Sequence, residues 1–154
     1  MPLNRALVGR EYGPSEVYEV GREHVRQFAL AVGEHSAVHT DAEAARAAGY
    51  DDVVAPPTFL TTLTFRFAAD SPTVDPELGL DYSRVVHGTQ EFRFSRPVVA
   101  GDRLRMTTRV SDVRAAGGHE FLVTESDVVD ADGAHVATLV ATIVSRGTAV
   151  KEDR

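Results

Sequence analysis

Between Pro57 and Asp70 the chain reads PTFLTTLTFRFAAD, and this segment limits the possible folds more than any other. Pro57 suits the first position of a helix, where its missing N–H does no harm. Phe59, Leu60, Leu63, Phe65, Phe67 and Ala68 then cover nearly every side of a helical wheel, with threonines between them and Arg66 as the only charge before Asp70. A helix that is apolar all round has to be buried all round. At about 14 residues it is too short for the roughly 20 that cross a bilayer, so its wrapping is expected to be protein.

The C-terminal half offers that wrapping. Four long alternating runs, 84–98, 103–115, 119–130 and 134–146, are separated by the turn signals 100-AGD-102, 116-AGG-118 and 131-ADG-133. In the second run Leu104, Met106, Thr108 and Val110 alternate with Arg103, Arg105, Thr107 and Arg109, the pattern of an antiparallel strand with one wet face. Strands of about a dozen residues are longer than usual, and joined by tight turns they predict a meander that twists and coils. Coiled round one apolar helix, they give an α+β hot-dog fold: a long antiparallel β-sheet wrapped around a central buried α-helix. Residues 1–154 suit a single domain of this kind, with 146–154 read as a polar, frayed tail.

Upstream, 16-EVYEV-20 alternates as a short strand would. In 22-REHVRQFALAVG-33, Val25, Phe28, Ala29 and Val32 share one helical face, and Gly33 stands just past the C-cap, where a left-handed backbone favours glycine. A second helix is predicted over 40-TDAEAARAAG-49, with Thr40 and Glu43 at capping-box spacing and Gly49 closing it. The loop between them, 33-GEHSAVHT-40, is then pinned at both ends. Glu34 and His39 within it read either as an acid/base pair or as polar residues of a solvated loop; the spacing alone fits both.

Composition removes several classes of function. A net charge of −7, with fifteen arginines and one lysine (Lys151), argues against general nucleic-acid binding. With no cysteine there are no disulfides and no thiolate metal sites. No apolar run is long enough to span a membrane, and MPLNRALVGREYG lacks the apolar core of a secretion signal, so a cytoplasmic location is expected. His24, His35, His119 and His135 have no tight metal-ligand spacing. There is neither a glycine-rich phosphate loop nor a nucleophile elbow.

The stretch 28-FALAVGEHSAVHTDAEAA-45 resembles the hydratase-2 motif of MaoC-like proteins: an aromatic, then Gly-Asp-x-Asn-Pro-hydrophobic-His, then a small residue. Gly33, Val38, His39 and Ala44 or Ala45 match; Glu34, Ser36 and Ala37 stand where that motif has Asp, Asn and Pro. The stretches 53-VVAPPTFL-60 and 82-YSRVVHGTQEFRFSRPVVAGD-102 narrow the resemblance to the FAS1-like, N-terminal type of MaoC-like dehydratase subunit, over roughly residues 5 to 146.

The resemblance implies a dimerising hot-dog fold acting on acyl thioesters of coenzyme A or acyl carrier protein. The implied reaction is reversible loss of water from an (R)-3-hydroxyacyl thioester, with no metal or redox cofactor. Glu34 and His39 would be the acid/base pair, moving the α-proton and the departing hydroxyl. Glu34 is one methylene longer than the family's Asp. Catalytic relatives carry an Ala-His-Gly-like segment that offers an N–H to the thioester oxygen; here it is Ala55-Pro56-Pro57-Thr58, where Pro57 has no N–H and Thr58 is the substitute. Ser36, Tyr82, Arg84 and His87 complete the substrate-binding candidates, Tyr82 and Arg84 as gate or pantetheine-phosphate contacts. Three readings follow: a dehydratase/hydratase subunit using Glu34 and His39, in a homodimer or heterodimer; a non-catalytic acyl-chain-binding partner in a heterodimer with a catalytic MaoC-like subunit; and a hot-dog thioesterase. None involves nucleic acid or a membrane.

Overall fold

In the computed structural model, which describes residues 2–149, two short strands lead the chain: β1 (Glu11–Tyr12) and β2 (Tyr18–Glu19). Helices α1 (Arg22–Ala31), α2 (Ala42–Ala47) and α3 (Thr61–Arg66) follow, then four long strands, β3 (Val85–Phe94), β4 (Arg103–Ala116), β5 (His119–Val129) and β6 (His135–Ser145). All strand pairings are antiparallel, in the order β1-β4-β5-β6-β3, with β2 also on β4. The predicted alternation holds in β4, where Leu104, Met106, Thr108 and Val110 are buried and Arg103, Arg105 and Arg109 are exposed. This is the hot-dog fold, a mostly antiparallel sheet with few helices. No helix among the described residues is long and apolar enough to cross a membrane.

Five expectations need correction. The long strands are not a simple meander: β4, β5 and β6 are, but β3 pairs with β6 at the far edge. The segment between β3 and β4 is therefore a crossover and not a hairpin. Arg96 holds it, donating to both carboxylate oxygens of Asp102 at 2.8 and 3.1 Å and reaching Asp130 at 3.4 Å, while Asp102 also accepts from the Val99 N–H. The motif 96-RPVVAGD-102 is thus a structural clamp, and Arg96 is not a free cation for a phosphate.

The central helix is also shorter than its apolar run. Residues 57–60 form turns, α3 covers only Thr61–Arg66, and a 3-10 turn occupies Ala68–Asp70. Thr61, Thr62 and Thr64 each turn their hydroxyl onto the carbonyl three residues back, at 2.7–2.8 Å; such bonds compete with regular helix. Nor is the helix buried all round. Phe59, Leu60 and Leu63 are, but Phe65 is 80% exposed. At α2 the N-cap is Asp41, accepting from the Glu43 and Ala44 N–H groups, so Thr40 makes no capping box. The run 16–20 yields only β2.

In the tail, residues 146–149 are tied down: the Arg146 N–H meets the Arg84 carbonyl and the Gly147 N–H meets His119. The rest of the predicted frayed tail lies outside the described residues.

Two apolar clusters fill the concave side of the sheet. One gathers Phe59, Leu60 and Leu63 with Val25, Leu104, Met106, Val128 and Leu139. The other joins Leu3, Leu7 and Leu78 to Val110, Val113 and Leu122. Along β4 and β5 they are separated by Thr108, Thr124 and Ser126, which face inward where the alternation calls for apolar residues.

Candidate active site

The loop 33–40 is held at both ends, as its sequence predicts. At the end of α1 the Glu34 N–H returns to the Ala29 carbonyl and the Gly33 N–H to Leu30, the paired bonds of a Schellman motif. Gly33 has φ +75°, a left-handed conformation that is costly for any residue with a Cβ. Further on, Arg26 Nε donates to the Thr40 carbonyl at 2.7 Å and the Val54 N–H to the Val38 carbonyl at 2.9 Å. The backbone beneath Glu34 and His39 is therefore fixed to α1 and to the strand-like segment at Val54.

The two side chains do different things. His39 is buried, and its Nδ1 lies 2.6 Å from the Val54 carbonyl. A carbonyl only accepts, so Nδ1 carries the proton and the neutral ring keeps its lone pair on Nε2. Glu34 is half-buried, and its Oε1 accepts from the Ser36 N–H at 3.0 Å. Ser36 thus contributes its amide, its hydroxyl making no capping bond. No hydrogen bond joins Glu34 to His39 among the described residues. Thr58 is exposed in the turn before α3, and its N–H has no acceptor among the described residues.

A chamber of about 360 Å³ opens between α3 and the inner face of the sheet. Thr61, Thr64, Phe65 and Ala68 line its helix side, Ser71, Pro72 and Thr73 its rim, and His87, Gln90, Met106, Thr108, Thr124, Ser126, Leu139, Ala141 and Ile143 its sheet side. Tyr82 and His87 both line it; Glu34, Ser36, His39, Thr58 and Arg84 do not. Arg84 instead has its guanidinium near Asp81 and the Arg146 carbonyl, each at 3.4 Å, where the chain enters β3 and leaves β6. His87 is aimed by a bulge in the β3–β6 ladder between His87 and Thr89. A Cβ on Gly88 would come within 3.0 Å of the Thr142 carbonyl oxygen, which explains the glycine after this histidine. Thr108, Thr124, Ser126 and Gln90 were not among the sequence candidates. Their signal was a polar residue in the inward phase of an alternating strand.

One charged cluster stiffens the frame around the loop. Asp52 accepts from the Arg22 guanidinium, from the Val53 N–H at 2.8 Å, and faces Arg46 at 3.4 Å. The Arg22 hydrogen bonds, helped by the Val53 N–H, hold its carboxyl down at about 2. A carboxylate whose pKa is lower in the folded chain adds stability above its unfolded value of about 4 and loses it as pH falls towards about 2. Asp52→Asn should therefore flatten the fall in melting temperature between about pH 4 and 2, measured by circular dichroism; an unaltered acid profile would remove the cluster from this role.

Residues 6–139 match the family described as FAS1-like, dehydratase domain region. A UPF0336 protein of Saccharopolyspora erythraea is 52% identical over 149 residues, 97% of this chain and 95% of that one. Among solved structures, a chain of the C-terminally truncated HadBC (3R-hydroxyacyl-ACP dehydratase) complex from Mycobacterium tuberculosis superposes with a TM-score of 0.78. It is 31% identical over 90% of this chain and 96% of that chain. A MaoC-like dehydratase superposes at 0.80 with 34% identity; 92% of this chain is covered, but only 42% of that longer one. Fold, motif and these likenesses agree, and the chain belongs to the FAS1-like dehydratase-region family of MaoC-like proteins.

Proposed function

We propose that this chain is a subunit of a two-chain (R)-3-hydroxyacyl-thioester dehydratase/hydratase, in which it holds the acyl chain beside a catalytic MaoC-like partner. The observation that carries this reading is the separation of the chamber under α3 from the Glu34–His39 loop. The chamber has the size and largely apolar wall of a small-molecule site, and Phe65, exposed at its rim, leaves an apolar ring for a ligand or a second chain to cover. The catalytic motif is altered where catalysis is least forgiving. Glu34 lengthens the carboxylate arm by one methylene, and displacements near 1 Å can cost about 100-fold in rate. Pro57 removes the N–H that would meet the thioester oxygen. The HadBC complex, a 3R-hydroxyacyl-ACP dehydratase, supports the two-chain arrangement.

In the assembled enzyme a base would take the α-proton while an acid protonates the departing hydroxyl, so that the thioester gains a double bond and water leaves. This chain's part is to fix the acyl chain and exclude water around it. A second reading keeps the chemistry on this chain, with the Nε2 lone pair of His39 as base and Glu34 as its partner; the Val54 carbonyl that sets the His39 tautomer favours it.

Enoyl-thioester hydration separates the two. The chain alone is expected to turn over at least about 100-fold more slowly than the same chain co-expressed with a MaoC-like chain bearing an intact Asp-x4-His. Saturating turnover by the chain alone, abolished in His39→Ala, would establish the second reading.

A further inference from the structure

The chamber wall contains hydroxyls that no part of the acid/base scheme uses. Thr124 is only 8% exposed, lines the chamber, and makes no side-chain hydrogen bond among the described residues. Thr108 and Ser126, equally buried, hydrogen-bond each other at 2.7 Å. Two hydroxyls carry two protons and that bond uses one, leaving the other to donate elsewhere. Gln90 lies in the same row: it is paired with Ala141, and Ala141 with Thr124. Its amide nitrogen reaches the Glu91 and Val140 carbonyls at 3.4 Å, both long contacts. A belt of under-used donors thus crosses the middle of the chamber, between Met106 and Leu139 on one side and Ile143, with His87 opposite it, on the other.

We infer that the chamber selects an acyl chain carrying an oxygen function, a hydroxyl or keto group, at the depth of Thr124, over a plain alkyl chain. This rests on the reading of the chamber as the acyl site. An alkyl chain would expel water and leave the belt unpaired, and a buried polar group without a partner is unfavourable. An oxygen at that depth accepts from Thr124 while the carbons before and after it meet Met106 and Leu139 on one side and Ile143 on the other. At about 30 Å³ per water-sized volume, the chamber holds a chain of roughly ten carbons.

The test titrates the full chain with pantetheine thioesters of acids of roughly that length, one saturated and the others bearing a single hydroxyl at successive positions of the distal half. One hydroxylated position is expected to bind about tenfold more tightly than the plain chain. Thr124→Val, which keeps the shape, should erase that preference and Thr124→Ser should keep it, with melting curves showing both folded. If Thr124→Val does not fold, Ser126→Ala takes its place in the comparison. A plain chain bound as tightly as every hydroxylated one overturns the inference, as does a preference that survives both substitutions. Plain chains that bind more tightly to Thr124→Val, with no preference in the parent, mean that water satisfies the belt, which also overturns it. If neither kind binds, the acyl-chamber reading itself fails and the inference goes with it.

Discussion

Phe59→Ala is expected to lower the melting temperature by roughly 10 °C or more. Phe59 is fully buried, with Phe28 edge-on at 5.4 Å, His24 at 5.1 Å and Tyr18 at 6.5 Å between ring centroids. It joins α1, the segment before α3, and the sheet in one cluster. Truncating a buried Phe costs about 3–5 kcal/mol, partly transfer and partly cavity, and in a chain of this size each kcal/mol shifts the transition by about 2–4 °C. Phe65→Ala is the contrasting variant. That ring is 80% exposed, so its loss should leave the monomer's melting within about 0.5 kcal/mol. Thermal denaturation of both reads the difference; equal losses would mean that the chamber rim is as much a core as Phe59.

Ala141→Phe should raise the KM for a long-chain enoyl thioester by about 100-fold in the proposed two-chain enzyme while leaving a four-carbon substrate nearly unaffected. Ala141 sits on β6 between Gln90 and Thr124, with its methyl in the chamber wall. A benzyl group there fills empty space and avoids overpacking, and it displaces about four methylenes of an acyl chain. At about 0.8 kcal/mol each this is near 3 kcal/mol, or two orders of magnitude. Equal effects on short and long substrates would show that the acyl chain does not enter the chamber.

The fold was legible because its strands are long. Over Arg103–Val110 the alternation is broken only by Thr108, and that regularity predicts a sheet with one wet face. Pairing order was not legible. That β3 crosses to β6 depends on contacts between residues some 50 positions apart, such as Phe92 with Leu139, which no local pattern records. The apolar run over 57–68 predicts a longer central helix than forms, because hydrophobicity does not record the threonine hydroxyls that bond back to the helix carbonyls.

At the site, the rigid loop followed from Gly33, whose left-handed backbone has a clear sequence signature. Tyr82 and His87 came from family likeness and both line the chamber; Arg84, from the same stretch, faces away. Thr124 and Ser126 broke the apolar phase of β5 in plain view. They were missed because a threonine in a strand is ordinary by propensity, and only the fold reveals what the inward face surrounds.

The β3 edge has a consequence for how such a chain is made. Ten residues long and outermost in the sheet, it carries Val86 and Phe94, each about 40% exposed, beside backbone groups with no neighbouring strand on one side among the described residues. Bare edges of this kind recruit other strands indiscriminately. A cell producing this polypeptide in excess over whatever caps that edge accumulates a precipitation hazard.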